Sequence, residues 1–172
     1  MVKIVEQNFK ENKKLYNEVE RKLRDYISEN VPITHVGSTA IPEMYGKNII
    51  DILVGAKNKE EFERISDLLS NNGWTTSSKS KTEIYQFFAS KKEETSTGDI
   101  HIHLAMLKTD RYDDFITIKK YLLENKKEAQ EYSSLKKEIV NSGIKQREDY
   151  KKVKSKYVSN LLKRARLYYG GA

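Results

Sequence analysis

The chain has 172 residues, a length typical of one domain, and 37% of them are hydrophobic while 33% are charged. It contains no cysteine, which excludes disulfide bonds and thiolate metal sites, and no apolar run approaches the ~18 residues of a membrane-spanning helix. The net charge of +7 favours anionic partners, although lysine-rich helices with solvated outer faces give the same charge.

The first half of the chain predicts a helix, two strands and a second helix. Apolar residues recur every three or four positions over residues 8–29, which indicates an amphipathic helix. Residues 33–36 are extended, and the almost wholly apolar residues 48–55 predict a strand that is covered on both faces. The second helix begins at Asn58 as its N-cap and ends at Asn71-Asn72-Gly73.

The second half predicts a hairpin and then helices only. The predicted strands are residues 82–89 and 99–107, the polar loop between them is 91–98, and the helices are 110–124, 126–140 and 147–168. We therefore expect the α/β (α+β) class, with a small mixed sheet flanked by helices and a helical C-terminal segment. The predicted organisation is a single domain over residues 1–172, whose sheet-containing core is 1–108 and whose helical part is 109–172.

A glycine and a serine follow the first predicted strand directly. Gly37 allows the backbone to approach a phosphate closely, and the hydroxyl groups of Ser38 and Thr39 add hydrogen-bond donors. Most Gly-Ser pairs are plain turns, so this pair alone is a weak indication of a phosphate loop.

Asp51 is the only charged residue inside an apolar strand. A carboxylate in that position is costly unless a cation or hydrogen-bond donors neutralise it. Because Asp51 follows Ser38 by thirteen residues, the two can face one cleft, where a divalent ion on Asp51 would meet a phosphate held at Gly37-Ser38. The alternative is structural, with Asp51 capping a turn or pairing with Lys47.

Three titratable residues alternate along the last predicted strand. Asp99, His101 and His103 share one face, while the apolar residues between them take the other. They suit divalent metal binding, proton transfer or contact with phosphate. Glu83, on the neighbouring predicted strand, is a further candidate metal ligand. Either histidine is equally explained as a structural residue.

These segments together resemble the GrpB family, a group within the nucleotidyltransferase superfamily. The resemblance lies in the run HVGSTAIPEMYGKNIIDILVG, the HIHL strand, the helical stretch YLLENKKEAQEYSSLKKEI and the final DYKKVKSKYV, and covers about residues 10–165. In one segment the family's usual arginine is replaced by Lys119, a weaker group for gripping a phosphate with two hydrogen bonds.

The resemblance implies the nucleotidyltransferase fold and, in active superfamily members, carboxylates that bind two divalent ions. Asp51 takes the first carboxylate position, but the second, two residues on, is Leu53, which cannot bind magnesium. The missing second ligand would be replaced by Asp99, Glu83 or the histidines. The metal would be magnesium or manganese, or zinc if histidines take part.

Three functions remain open for this chain, which we expect in the cytoplasm because MVKIVEQNFK lacks the apolar core of a signal peptide. The first is metal-dependent nucleotidyl transfer, with Asp51, His101 and His103 as catalytic residues and Gly37, Ser38, Thr39 and Lys47 binding the phosphates. The second is a binding module for a nucleotide, a coenzyme A-like ligand or another phosphorylated small molecule, without turnover. The third, RNA binding, is the least favoured, because no RNA-recognition motif is visible.

Overall fold

Six strands and five helices make up the part of the chain that the computed structural model describes, residues 4–90, 100–143 and 147–170. In chain order they are β1 (Val5–Glu6), α1 (Phe9–Arg24), β2 (Ile33–Val36), β3 (Tyr45–Gly46), β4 (Ile50–Ala56), α2 (Lys59–Asn71), β5 (Tyr85–Ala89), β6 (Ile100–Met106), α3 (Asp110–Glu124), α4 (Lys126–Asn141) and α5 (Arg147–Tyr168).

The central sheet has four strands in the order β2-β4-β6-β5. Strands β4 and β6 run parallel in the middle, and β2 and β5 pair antiparallel with them at the two edges. Because β4 has neighbours on both sides and is covered on both faces, its sequence is apolar apart from Asp51. The register pairs Asp51 with His101 and Leu53 with His103, so the sheet brings the acid and both histidines together.

The two faces of the sheet are covered differently. One face packs against α1 and α2 in the largest hydrophobic cluster, which contains Ile52, Val54, Ile102 and Leu104. The opposite face carries a small cluster of Val36, Leu53 and Ala105 under residues of α3. Because side chains alternate along a strand, Asp51, His101 and His103 lie on this second face, beneath the C-terminal helices.

The C-terminal helices form a hydrophobic cluster of their own. Leu161 and Ala165 of α5 are fully buried there and meet Tyr121 and Leu122 of α3, with Ala129 and Tyr132 of α4. The same cluster includes Ile41 and Met44 from the segment that follows Ser38. The helices are therefore anchored beside the Gly37-Ser38 turn, and a space remains between them and the sheet.

The structure corrects two predicted boundaries and adds one small sheet that was not predicted. The first helix ends at Arg24, not at residue 29, and the guanidinium of Arg24 donates to the carbonyl oxygens of Ser28 and Val31 in the segment that follows. The hairpin strand begins at Tyr85, not at residue 82. The two-residue strands β1 and β3 form a second sheet that the sequence pattern does not indicate. Among the described residues, no helix combines the length and hydropathy that crossing a bilayer requires.

Candidate functional site

The site is built on the turn that follows β2. Gly37 has a φ of 75° and is followed by a single 3₁₀ turn, Ser38–Ala40. A Cβ atom at Gly37 would lie 2.5 Å from Oδ2 of Asp51. Only glycine accepts both this backbone conformation and this close approach, so the turn and the carboxylate are in contact.

Asp51 is held by two imidazoles. Its Oδ1 lies 3.0 Å from Nε2 of His103 and 3.6 Å from Nδ1 of His101. Burial of the Asp51 carboxyl acts to raise its pKa, but hydrogen bonding and attraction from His101 and His103 outweigh it and hold that pKa well below its usual range. Asp51 is therefore an anion at neutral pH, and the histidines supply the polar partners that its partly buried position requires.

A tyrosine completes this hydrogen-bonded chain. Nδ1 of His103 lies 2.9 Å from the hydroxyl of Tyr85, and the guanidinium of Arg111 stacks 4.0 Å from the centre of the Tyr85 ring. In the neutral imidazole, Nε2–H donates to Asp51 and Nδ1 accepts from the Tyr85 hydroxyl. Asp51, which only accepts hydrogen bonds, thus fixes the tautomer of His103, and Tyr85 helps to orient its ring.

The residues do not fit the two-ion centre that the resemblance implies. Leu53, in the position of the second carboxylate, is fully buried. Asp51 is thus the one carboxylate that β4 offers, and no group of three or more acidic, histidine or cysteine residues within the described ranges is placed to hold a metal ion. Of the other predicted ligands, Asp99 lies outside the described residues.

Glu83 is wrongly predicted as a metal ligand of this site. It is exposed in the loop before β5, whose first residue, Tyr85, pairs with Ala105. Ala105 is four residues along β6 from His101, which corresponds to about 13 Å of strand. Glu83 and Asp51 are therefore at opposite ends of the sheet and cannot share an ion.

A cleft of about 560 Å³ opens above the Gly37-Ser38 turn, between the sheet face and the C-terminal helices. Gly37, Ser38, Asp51 and His103 line its sheet side. Its apolar wall comes mainly from the helices and includes Phe115, Ile118, Leu122, Val158 and Leu162. Its basic residues come from three different helices: Arg111 and Lys119 of α3, Lys136 of α4, and Lys151 and Lys154 of α5.

The charge in this cleft is strongly positive. Its acidic lining residues are Asp51, which the two histidines hold, and Asp114, whose Oδ1 lies 2.6 Å from the guanidinium of Arg166. Burial lowers the pKa of Lys119, and burial with the nearby charge of Lys154 lowers the pKa of Lys136 to about 7. Crowded, partly desolvated cations of this kind are stabilised by a bound anion.

The predicted phosphate-binding residues divide into two groups. Gly37 and Ser38 line the cleft beside Asp51 and His103, as the sequence predicts. Thr39 is fully buried and shares a hydrogen bond of 2.8 Å with Nε2 of His35, so it does not face the cleft. Lys47 has its Nζ 5.1 Å from the centre of the Tyr150 ring and is not among the cleft-lining residues.

Sequence reasoning missed most of the basic residues in the cleft. Lys136 carried the clearest signal, because it lies on the apolar stripe of its helix, four residues after Tyr132 and three before Ile139, where a lysine is out of place. Lys151 and Lys154 resemble every other lysine of α5 in the sequence. Their position in the cleft follows only from how α5 docks.

Comparisons with known proteins agree with this architecture. A family model described as GrpB protein matches residues 1–164. Glutamate-rich protein GrpB of Alkalihalophilus pseudofirmus is 29% identical over 153 residues, which is 87% of this chain and 88% of the relative. UPF0157 protein BH1888 of Halalkalibacterium halodurans is 26% identical over 154 residues, 88% of this chain and 76% of the relative.

Solved structures support the fold. The crystal structure of conserved protein GrpB from Enterococcus faecalis has a TM-score of 0.82 at 20% identity, covering 97% of this chain and 99% of that one. The Cid1 poly(U) polymerase bound to MgGTP has a TM-score of 0.51 at 11% identity over 78% of this chain, which spans only 43% of Cid1. Given a family model that covers nearly the whole chain and these structural neighbours, the protein belongs to the GrpB family and has a nucleotidyltransferase-like fold.

Proposed function

We propose that the protein binds a nucleotide or another phosphorylated small molecule in the cleft, and that its own basic side chains neutralise the phosphates. The observation that carries the proposal is that five basic residues from three helices line the same cleft as the Gly37-Ser38 turn. Their charges greatly exceed those of the acidic residues beside them, which marks an anion site. The fold supports a nucleotide as the ligand, since the Cid1 neighbours include complexes with MgGTP and Mg 3'-dATP.

The shape of the cleft supports a small ligand with both an anionic and an apolar part. The basic residues face the apolar wall formed by α3 and α5, and 560 Å³ lies within the usual range for ligand pockets, roughly 300–1,000 Å³. Phosphates would lie against Ser38 and the lysines, while a base or other flat group would lie on Phe115 and its apolar neighbours.

Binding without transfer is the form of the proposal that the geometry favours. Two-ion nucleotidyl transfer needs a second carboxylate, and Leu53 is buried in its place. In addition, Oδ1 of Asp51 is engaged by His103 at 3.0 Å. Asp51 then acts as an anchor for the histidines and for the turn at Gly37.

The proposal is tested with two double variants on α5 that remove equal charge. Lys151→Gln with Lys154→Gln takes two cations from the cleft, whereas Lys152→Gln with Lys156→Gln takes two from elsewhere on the same helix. Calorimetric titration with pyrophosphate and ATP should show about a hundredfold or greater loss of affinity for the first pair, since each of the two charge-assisted contacts contributes about 1.5–3 kcal/mol.

The control variant, Lys152→Gln with Lys156→Gln, should bind pyrophosphate and ATP with nearly the affinity of the unmodified protein. Equal losses in both double variants would mean that ligands respond only to overall charge, and would refute a specific site in the cleft. Absence of any binding of pyrophosphate or nucleotides to the unmodified protein would refute the proposed function itself.

A further inference from the structure

Lys136 is an unusual residue within this cleft because its amine is almost completely buried. The residue is only 3% exposed, yet it lines the cleft. Its Nζ donates a hydrogen bond of 3.1 Å to the carbonyl oxygen of Tyr45 and lies 4.1 Å from the centre of the Tyr132 ring. These contacts leave donor capacity on the amine, which has three hydrogens when protonated.

Gly46 lies next to both this amine and the Ser38 hydroxyl of the Gly37-Ser38 turn. A Cβ atom built on Gly46 would overlap Oγ of Ser38 and would lie 3.7 Å from Nζ of Lys136. The serine hydroxyl therefore occupies the position that a side chain at residue 46 would need, and the lysine amine lies close beside it, with Ser38 and Lys136 both lining the cleft. A tetrahedral group with several acceptor oxygens can hydrogen-bond to both at once.

We propose that Ser38, Gly46 and Lys136 form a subsite for a single terminal phosphate dianion, with Lys136 as the residue that contacts it. This inference rests on the proposed function, because it assigns one phosphate position within the same cleft. It also names the ligand class more narrowly, as a phosphate monoester or the terminal phosphate of a longer chain.

The charges around the amine determine how it responds to such a ligand. Burial, followed by the positive charge of Lys154, lowers the pKa of Lys136 to about 7, while Asp51 acts in the opposite direction. The titratable or charged residues on the elements around the cleft are Tyr45 on β3, Asp51 on β4, His103 on β6, Arg111, Asp114 and Lys119 on α3, Tyr132 on α4, and Lys151 and Lys154 on α5. A dianion beside Nζ favours the protonated amine, so binding above pH 7 takes up a proton.

Inorganic sulfate is the probe that isolates this effect, since its charge does not change between pH 6 and 9. We expect the unmodified protein to take up close to one proton per sulfate at pH 8, above the ordinary range of histidine. The measurement is calorimetric titration in two buffers of different ionisation enthalpy, with EDTA present. Sulfate binding without proton uptake would overturn the assignment of Lys136.

Three variants separate the subsite from general charge. Lys136→Met should lower the sulfate affinity about tenfold or more and abolish the proton uptake. Gly46→Ala, which keeps every charge but displaces the Ser38 hydroxyl, should also lower the affinity. Lys137→Met removes a neighbouring charge whose amine lies over the Tyr45 ring, and should preserve both properties.

The outcomes distinguish this subsite from the broader proposal. Circular dichroism shows whether Lys136→Met folds. If the folded variant binds sulfate normally, while Lys151→Gln with Lys154→Gln still lowers the affinity for pyrophosphate, the subsite is wrong and the cleft remains an anion site. If the unmodified protein binds neither anion, both proposals fail together.

Discussion

His35 shows how a single residue supports the site without entering the cleft. Its ring stacks on Tyr16 with 4.7 Å between ring centres and an interplanar angle of 7°, and its Nε2 bonds to the Thr39 hydroxyl. Burial, followed by the positive charge of Lys119, lowers the pKa of His35 to about 4, against a partial opposite effect from Asp51. Neutral His35 therefore fixes the turn after Ser38 through Thr39.

We predict that His35 makes the protein less stable as pH falls from about 6.5 to 4. Over this interval the unfolded chain binds a proton at residue 35 that the folded protein does not, so the free energy of unfolding declines by up to about 1.4 kcal/mol per pH unit. His35→Gln, which keeps a hydrogen-bonding group for Thr39, should be less stable at pH 7 but show a flatter pH dependence.

Urea denaturation at several pH values between 4.5 and 7 measures this slope. The carboxylates contribute to both proteins, so the informative quantity is the difference between the two curves. Parallel curves for His35→Gln and the unmodified protein would contradict a buried neutral histidine at this position.

Asp51, His101 and His103 were predictable because each is a charged or polar residue within a strand whose other residues are mostly apolar. Asp51 interrupts an apolar strand, and the alternation of His101 and His103 with apolar residues correctly places both histidines on the face that Asp51 occupies. Thr39 and Glu83 were not predictable in this way. The orientation of Thr39 is set by its hydrogen bond to His35, and the position of Glu83 is set by where β5 begins. Neither feature produces a periodic pattern in the sequence.

Helix α5 forms a wall of the cleft and is joined to both neighbouring helices. Arg164 makes two hydrogen bonds with Glu128 of α4, at 2.8 and 3.0 Å, and Arg166 pairs with Asp114 of α3. Its apolar contact is made by Leu161 and Ala165, both fully buried. The position of the cleft lysines on α5 therefore depends on this packing.

We predict that Leu161→Ala costs about 2–5 kcal/mol of unfolding free energy, the usual range for a leucine truncated in a packed core. It should also weaken pyrophosphate binding, because loosening α5 displaces the cleft lysines. Leu167→Ala on the same helix removes a side chain from a residue that is 74% exposed, and its effect should stay within about 0.5 kcal/mol.

Thermal and urea unfolding measure the stabilities, and calorimetric titration measures the affinities. Equal stability losses in Leu161→Ala and Leu167→Ala would contradict the buried packing of α5. A large stability loss with unchanged pyrophosphate affinity in the folded Leu161→Ala protein would show that α5 does not position the cleft.

The helices were predictable from periodicity: the bounds of α3 and α5 are as predicted, and α4 ends one residue later than predicted. Their arrangement was not predictable, because it depends on contacts among residues far apart in sequence, such as Met44 with the helical cluster. Strands β1 and β3 are too short to give an alternating pattern, and they form only by pairing with each other.

At the scale of the whole molecule, part of the excess positive charge behind the net charge of +7 is concentrated in one cleft. Five of the basic residues line the cleft, whose acidic residues already have partners of their own. Such a cleft attracts anions, and its attraction weakens as added salt screens the charges. The basic residues of the cleft are therefore placed to act together on a bound anion.

This arrangement predicts the sign of the magnesium effect on ATP binding. A site that neutralises phosphates with its own lysines should bind ATP more tightly in EDTA than in excess magnesium, because the ion removes negative charge from the ligand. A site that holds catalytic magnesium through Asp51 would show the opposite order. Sulfate, which associates only weakly with magnesium, is the control and should bind almost equally in both conditions. Calorimetric titration of ATP and sulfate at constant ionic strength decides between them, and tighter ATP binding with magnesium would refute neutralisation by the lysines alone.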